Sequence, residues 1–224
     1  MRVALDAMGG DYAPQACVAG AVLALGEFPK LEKLFLVGDN DRIRAELDKH
    51  NCHDPRIEIV HATQVVEMSE TAVEGVRRKK DSSISRAVDL VKHGQADAVV
   101  SAGHTGAAVA ATTIKLRTLE GVDRPGIAAL LPTETNLCVL IDAGAHPDAR
   151  PEHMLQYAIM GAVFSRYVLG YKNPAIGLMS IGGEDVKGSE LTKYIFTLLK
   201  ASGLNFRGNI EGHDLFQNPV EVVL

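Results

Sequence analysis

Small and polar residues gather in this chain at four places, each directly after an apolar run of strand length. They are Asp6-Ala7-Met8-Gly9-Gly10-Asp11, Ser101-Ala102-Gly103-His104-Thr105-Gly106, Asp142-Ala143-Gly144-Ala145-His146, and Gly182-Gly183-Glu184-Asp185 running on to Lys187-Gly188-Ser189. Glycines bare backbone amides, and a following helix N-terminus adds unpaired N–H groups and partial positive charge. The chemistry such loops favour is binding of an anion, with phosphate the default guest. A competing reading is that the glycines only make tight strand-to-helix turns. For one loop alone that reading wins; four loops of one kind favour the anion site. Ser189 is placed to cap a helix and Lys187 to neutralise an oxyanion, against the plainer reading of a surface lysine.

Other chemistries find less in the chain. G-x-x-x-x-G-K-[ST] is absent and no G-x-G-x-x-G follows the first strand, so nucleotide binding is not supported. His50, Cys52 and His53 cluster at a spacing that matches no zinc pattern, and no metal is expected. Cys17 and Cys138 lie among apolar neighbours, as core-filling thiols do, and no nucleophile elbow or Ser–His–Asp order is present.

The elements that must position these loops alternate along the chain. Runs 2–6, 33–38, 57–61, 97–101, 127–131, 137–142 and 175–181 read as strands, with helices near 14–27, 40–50, 83–93, 105–118, 151–169 and 188–201. That rhythm predicts an α/β fold, a three-layer α/β/α sandwich with a mostly parallel sheet, whose ligands sit at the carboxyl ends of the strands. Residues 121–136 break the rhythm with no intervening helix, so their flanking strands are expected to form an antiparallel excursion. EVVL at 221–224 reads as the start of another buried strand: either the chain is a fragment, or this is a closing edge strand.

With 224 residues, 46% hydrophobic and 23% charged, the chain can bury the core of one large or two small domains. A net charge of -5 argues against a general nucleic-acid binder, which needs many cations to displace counterions. Against that acidic background VRRKKDSSI at 76–84 places four cations in a row. Such a block either steers an acidic partner or is a solvated face, and taken alone the solvated face is favoured. Three scattered cysteines suit a reducing compartment, and neither a secretory leader nor a run of ~20 apolar residues is evident.

Taken in order from Met1 to the end, DAMGGDYAP, VRRKKDSSI, SAGHTGA, LEGVDRP, PEHMLQYAIMG, GEDVKG and GNIEGHDLF resemble the PlsX-like phosphate acyltransferases of bacterial phospholipid synthesis. The resemblance implies one PlsX-like α/β domain over 1–224 of isocitrate/isopropylmalate dehydrogenase-like fold, related in architecture to phosphotransacetylase. The C-terminal part of the family's chain would be missing. It further implies formation of acyl-phosphate from acylated acyl carrier protein and inorganic phosphate by a cytoplasmic homodimer, with peripheral membrane contact open and no cofactor. The chain departs from the family in having His104 and His146 where asparagine is usual, and Gly183 where a glutamate is common.

Direct attack of phosphate on a thioester needs no enzymic nucleophile, only alignment and stabilisation of an oxyanion, which agrees with the absence of a triad. On this reading Gly9, Gly10, Ser101, Gly103, Thr105, Gly106, Gly188 and Ser189 bind phosphate. Asp6, Asp11, Asp81 and Asp142 orient the donors. His104, His146 and Lys187 are the catalytic candidates, a histidine protonating the departing thiolate. Arg77, Arg78, Lys79, Lys80 and Arg86 attract the acidic carrier protein. The alternatives are a non-catalytic phosphate- or acyl-phosphate-binding module and a phosphotransacetylase acting on acyl-coenzyme A. A dehydrogenase of the same fold is disfavoured, because no acidic partner for an adenine ribose is recognisable.

Overall fold

A computed structural model describes residues 1–144, 148–185, 187–217 and 220–224. Two compact units divide the chain, Met1–Thr118 and Leu119–Leu224.

In the first unit four parallel strands, β1 (Arg2–Asp6), β2 (Lys33–Gly38), β3 (Ile57–His61) and β4 (Ala98–Ser101), lie in the order β3-β2-β1-β4. Their side chains alternate between two apolar layers because successive residues of a strand point to opposite faces. Leu34 and Leu36 join Val18, Ala21, Ile43 and Leu47 from α1 (Gln15–Glu27) and α2 (Asn40–Lys49) on one face. Ala4, Phe35 and Val37 meet Ala87 and Leu90 of α4 (Ser83–Lys92) on the other. There α4 and α3 (Ala72–Arg78) also pack on α5 (Thr105–Leu116) through Val76, Ile84, Val88, Ala107 and Ala111. Helices thus pack on both faces of the sheet, as expected of parallel strands, while Val100 on the edge strand β4 remains half exposed.

The second unit carries β5 (Ala128–Pro132), β6 (Leu137–Ile141), β7 (Ile176–Met179), β8 (Phe206–Ile210) and β9 (Val222–Val223) in the order β5-β6-β9-β7-β8. The antiparallel excursion expected around 121–136 is the β5–β6 pair, and the other pairings are parallel. One face meets α6 (Pro151–Tyr167) and α7 (Glu190–Ala201) through Val139, Ile141, Ile176, Leu178 and Val222 against Tyr157, Phe196 and Leu199. Gly161 of α6 lies where a Cβ would stand 2.6 Å from Val222 Cγ1, so the missing side chain is what lets the helix approach β9. The opposite face packs Cys138, Ile210 and Val223 with Leu215 of a 3₁₀ turn, Leu215–Gln217. Burial pushes the Cys138 thiol up to about 11, with Glu221 adding to the effect, in keeping with a thiol that fills core.

The fold class holds, and the differences have local causes. The run 221–224 is no closing edge strand, because β9 lies between β6 and β7 at the middle of its sheet. Strand β8 escapes the sequence pattern because Arg207 and Asn209 alternate with glycine rather than with a second apolar residue. Helix α3 escapes it because Gly75 interrupts its run, although a Cβ at Gly75 would stand 2.8 Å from Val66 Cγ1 and the glycine is what permits that contact.

One polar tie joins the exit of β3 to the start of α4. Asp81 Oδ2 accepts from the Thr63 amide at 2.9 Å and from Thr63 Oγ1 at 2.5 Å, and Asp81 Oδ1 accepts from Arg86 Nε at 2.6 Å. These bonds, Thr63 foremost, hold the Asp81 carboxyl down to about 2. Because the folded value lies below the ~3.9 of an unfolded aspartate, the stabilisation is fully present above about pH 4 and is lost as pH falls through about 2. Urea unfolding of Asp81→Asn should therefore show a loss of about 1 kcal/mol at pH 7, discounted for the partial exposure of the pair, and the gap to the parent chain should close as pH is lowered from 4 toward 2.

Candidate active site

At the carboxyl end of the first sheet, parallel register sets Asp6 of β1 level with Ser101 of β4. Ser101 Oγ donates to Asp6 Oδ2 at 2.8 Å and accepts from the Gly103 amide at 3.1 Å, so the carboxylate, the hydroxyl and the loop form one chain of hydrogen bonds. The second oxygen, Asp6 Oδ1, is buried and has no hydrogen-bond partner among the described residues. The two glycine loops press together here: a Cβ on Gly9 would stand 2.9 Å from the Gly103 amide nitrogen, and one on Gly103 would stand 2.9 Å from Gly9 Cα. Cys17 Sγ donates to the Gly9 carbonyl at 3.3 Å from beneath, and burial raises its pKa. The missing side chains at Gly9 and Gly103 are what let the two loops approach this closely.

A cleft of about 210 Å³ opens beside them. Its polar lining is Asp6, Asp11, Glu67, Ser83, Ser101 and His104, together with the backbone of Gly9, Gly10 and Gly103. Met8, Val66, Met68, Ile84 and Ala107 make the apolar part. The first turns of α4 and α5 both reach it, at Ser83-Ile84 and at His104 to Ala107. Among the described residues three carboxylates and no lysine or arginine line this cleft, a charge balance that opposes a phosphate dianion.

His104 is the N-cap of α5. Its Nδ1 accepts from the Ala107 amide at 3.4 Å, which leaves the proton on Nε2, 3.1 Å from the Glu70 carbonyl oxygen. Both ring nitrogens are thus engaged, and the residue joins α5 to the 65–70 segment that walls the cleft. Lys79 Nζ holds the same segment through the Val65 carbonyl at 2.7 Å and Glu70 Oε2 at 2.6 Å. Thr105 is exposed at the start of α5, whereas Gly106 faces Ala72 of α3, where a Cβ would stand 3.1 Å from Ala72 Cβ.

The basic run divides by partner. Lys79 pairs with Glu70 and Arg86 with Asp81, while Arg78 stands 3.9 Å from Glu74 on the exposed side of α3. Arg77 and Lys80 are exposed with no ion pair among the described residues. Only part of the run can therefore meet an external anion.

The second unit has a rim of its own at the end of β7. Ser189 caps α7, accepting from the Thr192 amide at 3.2 Å. Gly188 has φ +100°, and a Cβ there would stand 2.8 Å from Thr192 Cβ and 3.0 Å from Ser180 Oγ. Ser180 Oγ and Asn209 Oδ1 are buried without hydrogen-bond partners among the described residues, and Asn209 Nδ2 donates to the Glu184 carbonyl at 2.8 Å. Lys187 is exposed and no ion pair engages it among the described residues. Asp142 accepts from the Ile127 amide at 2.8 Å, tying the start of β5 to the end of β6. His146 lies outside the described residues.

Sequence reasoning missed Val65, Val66, Glu67 and Met68 as cleft walls, and Ser180 and Asn209 at the second rim. None stands in a glycine loop, and Asn209 lies on the overlooked β8.

A family model described as "Fatty acid synthesis protein" matches residues 1–224. The chain is 51% identical over 230 residues to a phosphate acyltransferase of Akkermansia muciniphila, covering 100% of this chain and 66% of that protein. It is 48% identical over 224 residues to a phosphate acyltransferase of Pelotomaculum thermopropionicum, covering 100% and 65%. It thus spans just under two thirds of the length of these relatives. Among solved structures it is similar to a branched-chain phosphotransacylase from Enterococcus faecalis V583, with a TM-score of 0.67, 15% identity, and coverage of 100% of this chain and 78% of the other. At that identity the likeness speaks to the fold alone.

The capping role of His104 is testable by stability. His104→Asn retains a good cap and should unfold within about 0.5 kcal/mol of the parent chain, whereas His104→Ala should lose ~1 kcal/mol in urea titrations.

Proposed function

This chain belongs to the fatty acid synthesis protein family, and from that premise we propose that it takes part in making acyl-phosphate from an acylated carrier protein and inorganic phosphate. The observation that carries the reading is the 51% identity to a phosphate acyltransferase along the whole chain. In the reaction a phosphate oxygen attacks the thioester carbonyl carbon, a C–O bond forms, the C–S bond breaks, and the thiolate leaves to take up a proton. No enzymic nucleophile enters, so the protein's contribution is alignment and charge stabilisation.

Phosphate is assigned to the second rim. Lys187 supplies a cation with no ion pair among the described residues, α7 supplies its N-terminal amides, and the Gly188 backbone and Ser189 hydroxyl lie beside them. The orphaned oxygens of Ser180 and Asn209 favour a polar guest there. The acid-lined cleft of the first unit is the poorer host for a dianion, so Gly9, Gly10, Ser101 and Gly103 are assigned to shaping that cleft. His104, with both nitrogens engaged, is assigned to positioning rather than to protonating the thiolate. Arg77, Arg78 and Lys80 are the part of the basic run left to steer an acidic carrier. The same reading makes the protein a cytoplasmic homodimer. No helix among the described residues is long and apolar enough to cross a membrane, and peripheral contact is left to experiment.

The test is to incubate the chain with palmitoyl-carrier protein and phosphate and assay acyl-phosphate. Formation of product that falls about tenfold or more in Lys187→Ala, with phosphate half-saturation raised, is the expected result, since a charge-assisted hydrogen bond is worth ~1.5–3 kcal/mol. Saturable phosphate binding with no product identifies a binding module instead; product insensitive to Lys187→Ala removes the phosphate assignment.

A further inference from the structure

Residues 67–70 form a turn that closes on itself at the mouth of the first unit's cleft. Glu70 Oε2 accepts from the Glu67 amide at 2.8 Å, and the Glu70 amide donates to the Glu67 carbonyl at 3.1 Å. Glu67 and Met68 line the cleft, and Met68 is 63% exposed. Among the described residues two hydrogen-bond ties hold this turn to the rest of the unit. Lys79 Nζ donates to Glu70 Oε2 at 2.6 Å, and His104 Nε2 meets the Glu70 carbonyl at 3.1 Å. Just upstream Val66 is buried against Gly75, so the chain is fixed before the turn and lightly held within it. Lys79 sits in the basic run beside Arg77, Arg78 and Lys80, whose one ion pair among the described residues is Arg78 to Glu74 at 3.9 Å. Lys79 first and the Glu67 amide next hold the Glu70 carboxyl below its usual range, with Arg78 adding to the field, so the turn already feels the charge of that run. The Lys79 and Glu70 side chains are 26% and 34% exposed. Such a pair shifts an equilibrium by about fivefold or less, and other carboxylates can compete for it.

We propose that the Lys79–Glu70 pair is a latch between a docking surface and the cleft: an acidic polypeptide seated on Arg77, Arg78 and Lys80 offers Lys79 carboxylates in place of Glu70, and the 67–70 turn swings away from the cleft mouth. The two arrangements differ in which carboxylate Lys79 holds, and Val66 and the start of α3 are the fixed ends about which the turn moves. Docking is thereby coupled to opening, and a ligand that keeps the turn shut weakens docking by the same factor. An acidic polypeptide is the partner because these cations stand together on a chain whose net charge is -5. The proposal rests on the acidic-carrier part of the proposed function and deepens it by naming what docking does to the cleft.

Poly-L-glutamate, which carries acid groups and no thiol, is the probe, titrated into the 224-residue chain labelled at methionine methyls and backbone amides. The expected result is a saturable shift of the Met68 methyl signal and about fivefold faster hydrogen exchange at the Glu67 amide. Lys79→Met should show both changes without the probe and gain nothing from it, whereas Lys79→Arg, which can hold the same carboxylate, should behave as the parent chain. Glu70→Gln keeps the side chain's shape and gives a second reading where Lys79→Met fails to fold: its Met68 signal should lie toward the probe-saturated position from the start. Arg77→Ala with Arg78→Ala should raise the probe concentration at half-saturation and leave the probe-free signals in place. The proposal is overturned if the probe shifts the Arg77 and Arg78 amides but not Met68 or Glu67, if nothing responds to the probe, or if Lys79→Met and Glu70→Gln both match the parent. A Met68 response to the probe with no acyl-phosphate made from palmitoyl-carrier protein sinks the proposed function and keeps the latch; product formation with a silent Met68 does the reverse.

Discussion

The hydrogen bond from Ser101 to Asp6 is the constraint on which the first unit's rim depends. Parallel register brings the two residues level at the ends of β4 and β1, and the serine then holds the Gly103 amide, which sets where α5 can begin. Because Gly9 and Gly103 have no side chains, the two loops close on each other above that bond. The cost is a buried carboxylate with one oxygen that has no hydrogen-bond partner among the described residues.

The two rims differ in the full charges that lie nearby. Asp6, Asp11 and Glu67 make the first unit's cleft rich in acceptors, although two helix N-termini reach it. In the second unit a helix N-terminus is accompanied by Lys187, which no ion pair engages among the described residues, by Glu184 in the same loop, by Asp185 and Glu190, which pair with Lys200 and Lys193, and by a glycine whose positive φ lets the loop fold onto Thr192 and Ser180. The helix dipole alone does not distinguish the two sites, because its ~0.5 of a charge is outweighed by whole charges nearby.

Support for the first cleft comes from residues that take no direct part in it. His104 caps α5 with one nitrogen and meets the Glu70 carbonyl with the other, and Lys79 anchors the same segment twice. Both residues thus help to build the wall of the cleft through local partners.

The sequence by itself determined the alternating α/β architecture, the antiparallel excursion at β5–β6 and the glycine loops at strand ends, because period-two and helical apolar patterns and turn residues are local properties of the chain. It also carried the family, since motifs such as SAGHTGA and GEDVKG are strings that can be read without coordinates. Tertiary structure alone decided that 222–223 is a central strand, that Gly9 and Gly103 pack on each other, and that Lys79 and Arg86 are already paired with Glu70 and Asp81. It alone brought Glu67 and Ser83 to the cleft and left Asp6 Oδ1 unsatisfied. Those outcomes depend on contacts between residues tens of positions apart, and on the sum of charges around a space, neither of which any local window of sequence contains.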